Sequence, residues 1–196
     1  MNGFEKRKQL KMKQIEDAAF FLFTKYGAQK VNIQDIAKKA NVSQVTIYNY
    51  FGSKDDLLYT VFKNFMDRKM DQFIQLKNSS LDFKAKIETL IQSKLEDTET
   101  FCPEFIQEVL TQKGPIAELF QTYTERSVPL IHELLEEGKE KGYVSTELSL
   151  ETLMFFLNSI LSNFRMNKGM FSNEETKRQF IKETHHFIFY GLVGKQ

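Results

Sequence analysis

One cysteine, Cys102, is the only thiol in this 196-residue sequence. That excludes an internal disulfide framework and any multi-cysteine zinc site. It also fits a reducing, cytoplasmic location. Three prolines and nine glycines are too few for a disordered or fibrous chain. No apolar run approaches the roughly 18 residues that a membrane span needs. The apolar stretch 18–23 follows a basic region, but Glu16 and Asp17 interrupt the approach to it, and six residues make a poor secretory signal core. There is no Gly-rich phosphate loop, no nucleophile elbow and no His-Glu-x-x-His pattern, so an enzyme reading has no anchor.

What is present suits an ordinary soluble protein. Hydrophobic residues make up 41% and charged residues 27%, enough for one large domain or a small domain attached to a larger one, with a buried core. The charge is unevenly placed. Residues 1–54 hold ten Lys/Arg against four Asp/Glu, a balance of +6; residues 55–196 hold 17 against 22, a balance of −5; together they return the net +1. A basic head on a mildly acidic body suits a polyanionic partner, and a merely solvated basic helix face gives the same count.

Almost every segment has helical period, and no strand signal survives. Ile15, Ala18, Ala19, Leu22, Phe23 and Tyr26 form one apolar stripe, with Gly27 placed as a C-cap. A short second helix is expected over Gln34–Ala40, with Asn32 as N-cap and Asp35 as a short-armed capping-box partner. Ser43 caps a third helix through Tyr50, and Ser53 with Asp56 opens a long fourth helix to about Lys77. Five more helices are expected near 81–97, 103–112, 115–140, 149–167 and 173–193. Pro129 should kink or break the 115–140 helix near Ser127–Val128. The expected fold is therefore all-α with about nine helices.

The stretch Asn32–Lys54 reads as two short helices around a tight turn. The first buries Ile33, Ile36 and Ala37; the second offers Val45 and Ile47 to the interior, with Phe51 just beyond. Asn41 sits in the turn, where a left-handed backbone is often required and asparagine tolerates it well. The second helix can then place its N-terminal residues in a major groove. Ser43, Gln44 and Thr46 lie at that end and suit base edges or phosphates. Tyr48 and Tyr50, flanking Asn49, suit phosphates, and Lys54 opens the next helix, where an anion is favoured.

Taken together, Phe23-x-x-Tyr26-Gly27, Ile33-x-Asp35-Ile36-Ala37, Ala40-Asn41-Val42-Ser43, Thr46-Ile47-Tyr48-Asn49-Tyr50-Phe51 and Ser53-Lys54-Asp55-Asp56-Leu57-Leu58 resemble the N-terminal domain of the TetR family of bacterial transcriptional regulators. The resemblance covers about the first third of the chain. It implies a helix-turn-helix DNA-binding domain over 1–54 and a helical effector-binding and dimerisation domain over 55–196. It further implies a homodimer on double-stranded palindromic operator DNA, usually repressing transcription, released by a small molecule. By position it implies Gln44 as a base-reading residue, Thr46, Tyr48 and Lys54 as phosphate contacts and Asn49 as a residue that can reach DNA; Asn32, Ser43 and Val45 complete the candidate DNA-binding set. The family often has Gly where this chain has Asn41, and Thr or Ser where it has Asn32. Lys6, Arg7, Lys8, Lys11 and Lys13 suit either a flexible phosphate-binding arm or a solubilising end.

In the C-terminal part, Leu150, Leu153, Met154, Leu157, Ile160 and Leu161 form one wide apolar face, and Phe180, Phe187, Ile188, Tyr190 and Leu192 form another. These last two helices are the expected dimer interface. Phe62, Phe65, Met66, Phe105, Phe120, Tyr123, Phe155 and Phe156 suit either the lining of an apolar effector cavity or ordinary core. Asn158, Ser159 and Ser162 are the candidate polar groups there. A hydrophobic effector fits this interior better than a sugar or phosphate. No cofactor is expected. Nor is a metal, because His185 and His186 point about 100° apart on a helix and position 189 is Phe. Two alternatives share these features: a helix-turn-helix dimer without a small-molecule effector, and a helical protein held on a membrane surface by its basic first helix.

Overall fold

A computed structural model describes residues 3–102, 104, 105, 108, 114–149, 151–156, 159 and 174–187. Among the described residues there are helices, turns and bends, and no strand. Seven helices have defined bounds: α1 (Gly3–Tyr26), α2 (Ile33–Lys39), α3 (Gln44–Phe51), α4 (Lys54–Lys77), α5 (Phe83–Thr100), α6 (Pro115–Glu140) and α7 (Glu174–His186). Residues 104, 105, 108, 151–156 and 159 are also helical. The expected helices at 103–112 and 149–167 lie largely outside the described residues.

The chain forms two compact units. One comprises residues 1–69 with 100–123, and the other residues 70–99 with 124–196. In the first, Ile15, Ala18, Ala19 and Phe23 of α1 are buried with Ile33, Ile36 and Ala37 of α2, Ile47 and Phe51 of α3, and Leu57, Leu58 and Val61 of α4. These positions recur at helical spacing, so each short helix gains its stability from one shared apolar core rather than from its own length. Tyr26 departs from the expected stripe. It lies in the last turn of α1 and is 45% exposed, its ring flanked by the Lys25 ammonium. Lys6, Arg7, Lys8, Lys11 and Lys13 are helical, within α1, rather than a flexible arm.

In the second unit, Phe83 and Ile87 of α5 pack with Leu134 and Leu135 of α6, Val144 and Leu153. Lys86 is buried among them. Its ammonium donates to both oxygens of Glu137, at 3.0 and 2.9 Å, and to the Lys77 carbonyl at 2.8 Å. That threefold satisfaction makes a buried lysine tolerable. α6 ends in a Schellman motif: the Tyr143 and Gly142 amides donate to the carbonyls of Gly138 and Lys139. Pro129 does not break α6, which runs unbroken through it.

Candidate nucleic-acid interface

The site is built from three consecutive capping devices. α1 ends at Gly27, which has φ 86° and whose amide donates to the Phe23 carbonyl at 2.9 Å. α2 opens on a reciprocal capping box: Asn32 Oδ1 accepts from the Asp35 amide at 2.9 Å, and an Asp35 carboxylate oxygen accepts from the Asn32 amide at 3.3 Å. α2 closes in a second Schellman motif around Asn41, with φ 50°. The amides of Asn41 and Val42 donate to Lys38 and Ala37 carbonyls at 3.3 and 3.0 Å. This left-handed residue turns the chain sharply enough for α3 to start three residues later.

α3 begins at Ser43, whose Oγ accepts from the Thr46 amide at 3.0 Å and pairs with Thr46 Oγ1 at 2.8 Å. Ile47 and Phe51 point into the core, whereas Gln44, Val45, Tyr48 and Asn49 are exposed. Their spacing puts all four on one face of the helix. Val45 is 66% exposed, contrary to the expectation that it faces inward. The core contacts of this two-turn helix fall to Ile47 and Phe51, which leaves Val45 on the far side. α3 has no acidic residue in its first turn, so the positive end of its dipole is not offset there. An amphipathic helix projecting amide, apolar and hydroxyl groups at this end has the chemistry to read base edges and phosphates.

Lys54 has an internal role that sequence reasoning missed. Its ammonium donates to the carbonyls of Ala28 and Val31, both at 3.0 Å. It thereby ties the start of α4 to the loop between α1 and α2, and one of its three N–H groups remains. The same loop receives a second anchor. Glu108 accepts from the amides of Ala28 and Gln29 at 2.6 and 3.2 Å, and Glu104 pairs with Lys30 at 3.1 Å. No pattern in the sequence signals these contacts, because Glu104 and Glu108 look like solvated helix surface.

The candidate effector residues separate. Phe62, Phe105 and Tyr123 are buried; Phe65, Met66 and Phe120 are half-buried. Phe155 is 69% exposed and Phe156 41%. Neither therefore lines a closed cavity of this chain, and their rings meet edge to face instead. Asn158 and Ser162 lie outside the described residues. Within the first unit, Phe20, Phe65, Phe101, Phe105 and Phe62 form a ladder of aromatic contacts with centroids 5.1–6.2 Å apart. In the same unit the Tyr123 hydroxyl is bonded to Asp67, whose other oxygen accepts from Lys63 at 2.5 Å. Among the described residues no group of three metal-ligating side chains gathers, and no helix is long and apolar enough to cross a membrane.

Residues 15–61 match the family model described as bacterial regulatory proteins, tetR family. The fatty acid metabolism regulator protein of Bacillus subtilis (strain 168) is 39% identical over 80 residues, covering 41% of this chain and 39% of that protein. The match thus spans about two fifths of that relative's length. The fatty acid degradation regulator FadR from Bacillus halodurans is 28% identical in its solved structure, with a TM-score of 0.67 over 93% of this chain and 96% of that one. FadR from Bacillus subtilis, solved in complex with stearoyl-CoA, is 20% identical, with a TM-score of 0.66 over 91% and 98%. Fold and site together define a helix-turn-helix protein of the bacterial regulator class. Residues 15–61 match the TetR family, and the fold as a whole is similar to that of the FadR regulator of Bacillus halodurans. These relatives are transcriptional regulators rather than enzymes, in keeping with the missing enzyme motifs.

Proposed function

We propose that this protein is a cytoplasmic, homodimeric repressor that binds a palindromic operator through α3 and is released by a long-chain acyl-CoA. The observation that carries the DNA reading is the outward face of α3: Gln44, Val45, Tyr48 and Asn49, projected by the turn at Asn41. Gln44 is the base-reading residue in this proposal, and Tyr48 and Asn49 are the candidate phosphate contacts. Asn32, Ser43 and Thr46 act at helix starts, where their caps hold the reading surface in place. Lys54 holds the loop behind it and offers its remaining N–H to a phosphate. Residues 1–54 serve as the DNA-binding domain and 55–196 as the effector and dimer domain.

The acyl reading is supported by the aromatic ladder, which supplies an apolar lining, and by the ligand of the Bacillus subtilis neighbour. Dimerisation through the last two helices is supported by Phe155 and Phe187, 69% and 54% exposed, which a second copy would cover. The test selects duplexes from a random pool with the purified protein and footprints the result at two salt concentrations. A protected palindrome, weakening steeply with salt, is expected. Stearoyl-CoA should then release it, while free coenzyme A should not. Failure to enrich any palindrome would sink the DNA reading. An enriched palindrome indifferent to stearoyl-CoA would sink only the effector.

A further inference from the structure

The loop leading from α1 to α2 is held through its own backbone. The Ala28 and Gln29 amides point at opposite oxygens of one carboxylate, Glu108, at 2.6 and 3.2 Å. The carbonyls of Ala28 and Val31 face Lys54. Lys30 pairs with Glu104, and the Cys102 amide donates to the Thr24 carbonyl at 2.7 Å. Cys102, Glu104 and Glu108 therefore grip the stretch 24–30 at four places. The loop ends at Asn32, the cap of α2, so its position determines where α2 and the turn into α3 begin.

The gripping residues alternate with members of the aromatic ladder. Phe101 and Phe105 stack on one another at 5.4 Å, and Phe101 meets Phe65 edge to face at 5.1 Å while Phe105 meets Phe62 at 6.1 Å. Glu104 is the neighbour of Phe105 and Glu108 follows three residues on, so the grip and the ladder share one short stretch of chain. A two-pronged carboxylate is well suited to such a hold. Charge-assisted hydrogen bonds are short and directional, and a small displacement loses both at once.

We propose that Glu108 is a positioning residue for operator recognition: its carboxylate latches the α1–α2 loop and so holds the reading helix α3 in its DNA-competent arrangement. Glu108 touches no DNA in this scheme. It rests on the operator-binding reading above, and it adds the physical link between the aromatic interior and the reading head. An event at the interior alters DNA affinity only if the two arrangements differ in the latch contacts.

The test compares wild type, Glu108→Gln and Glu108→Asp on the wild-type-selected palindrome and on a scrambled duplex of equal length. Glu108→Gln presents an amide N–H to one of the two loop amides, so one bond becomes a clash of donors. Its affinity for the palindrome should fall at least about tenfold, because a charge-assisted hydrogen bond to the loop is lost. Binding to the scrambled duplex should stay within about twofold, since non-specific binding is carried by phosphate charge contacts. Glu108→Asp, which keeps both acceptor oxygens, should recover part of the specificity. Amide hydrogen exchange at Ala28 and Gln29 should quicken in Glu108→Gln while exchange in α1 is unchanged. A purely stabilising role would lower Tm and leave the palindrome-to-scrambled ratio intact; that result, or unchanged exchange at both amides, overturns the latch. If Glu108→Gln does not fold, Glu108→Asp takes its place. Its shorter arm weakens the hold on the two loop amides, so its palindrome-to-scrambled ratio should fall about fivefold, and an unchanged ratio refutes the proposal. If wild type enriches no palindrome, the operator-binding reading falls and the latch falls with it. If wild type enriches one and Glu108→Gln binds it equally well, the latch alone fails.

Discussion

Gly138 of α6 packs directly against the ring of Phe83. A Cβ placed on Gly138 would come within 2.5 Å of Phe83 Cζ and 2.8 Å of a Val144 methyl. Phe83 is almost fully buried and stacks on Tyr143 at 5.4 Å, so its ring has no open space to enter. Glycine here permits close approach of helix to ring, at a cost in helix propensity that the packing offsets.

Gly138→Ala should therefore destabilise the protein by about 1–3 kcal/mol, the usual cost of overpacking. Combining it with Phe83→Leu should restore part of the loss, because the smaller side chain makes room. Urea denaturation of the four proteins in this cycle measures the coupling. Simple additivity of the two substitutions would contradict the contact.

Asn41, at φ 50°, holds the turn between α2 and α3. Asn41→Gly should be neutral or slightly stabilising, since glycine adopts that conformation without strain. Asn41→Val should cost about 1–2 kcal/mol, the penalty for a left-handed residue with a crowded Cβ. Thermal melts of both variants are sufficient, and equal Tm values for the two would refute the argument.

Gln44 and Tyr48 are exposed on α3, so their loss should spare stability and damage recognition. Gln44→Ala should weaken binding to the selected palindrome by about 1–3 kcal/mol, the value of one good base contact. Tyr48→Phe should weaken palindrome and scrambled duplex alike by a smaller factor, as expected for a phosphate contact. Fluorescence anisotropy titrations at fixed salt give both numbers. A drop in Tm with either variant would indicate a structural role instead.

Lys54→Met removes the anchor on the Ala28 and Val31 carbonyls while keeping most of the side-chain bulk. Stability should fall by about 1–3 kcal/mol because two acceptors lose their partner. Urea melts are the readout, and an unchanged midpoint would show that water satisfies those carbonyls equally well.

Glu137 is held below its ordinary carboxyl value of 4.5, first by the hydrogen bond from Lys141 and then by that from Lys86. A carboxylate with a lowered folded value binds its proton more readily when unfolded. Its contribution is therefore complete above about pH 4.5 and is lost as the pH falls through the lowered value. Glu137→Gln should lower stability at pH 7 by about 1.5–3 kcal/mol and flatten the acid limb of the stability profile. Urea midpoints from about pH 3 to 7 check the sign: an acid limb as steep as in wild type would rule Glu137 out as a contributor.

The helices of the reading head are legible along the chain, because their signals are local. Gly27, Asn32, Asn41, Ser43 and Ser53 each act on backbone groups within a few residues, and the 3.6-residue apolar spacing places Ile15, Ile36 and Ile47 in one core. Asn41 was legible as a left-handed turn for the same reason. Which groups meet across long stretches of chain depends on how the whole fold packs. Val45 and Ile47 are equally apolar in sequence, yet the packing of α3 buries one and exposes the other. Lys54 reads as an anion contact alone, and its carbonyl partners, 23 and 26 residues earlier, come within reach only in the fold. Glu108 meets the Ala28 amide across 80 residues. Pro129 reads as a kink or break, yet α6 continues through it without interruption. Capping and periodicity are properties of neighbours along the chain; a carboxylate's choice of partner is settled only when the fold brings distant backbone groups within hydrogen-bonding reach.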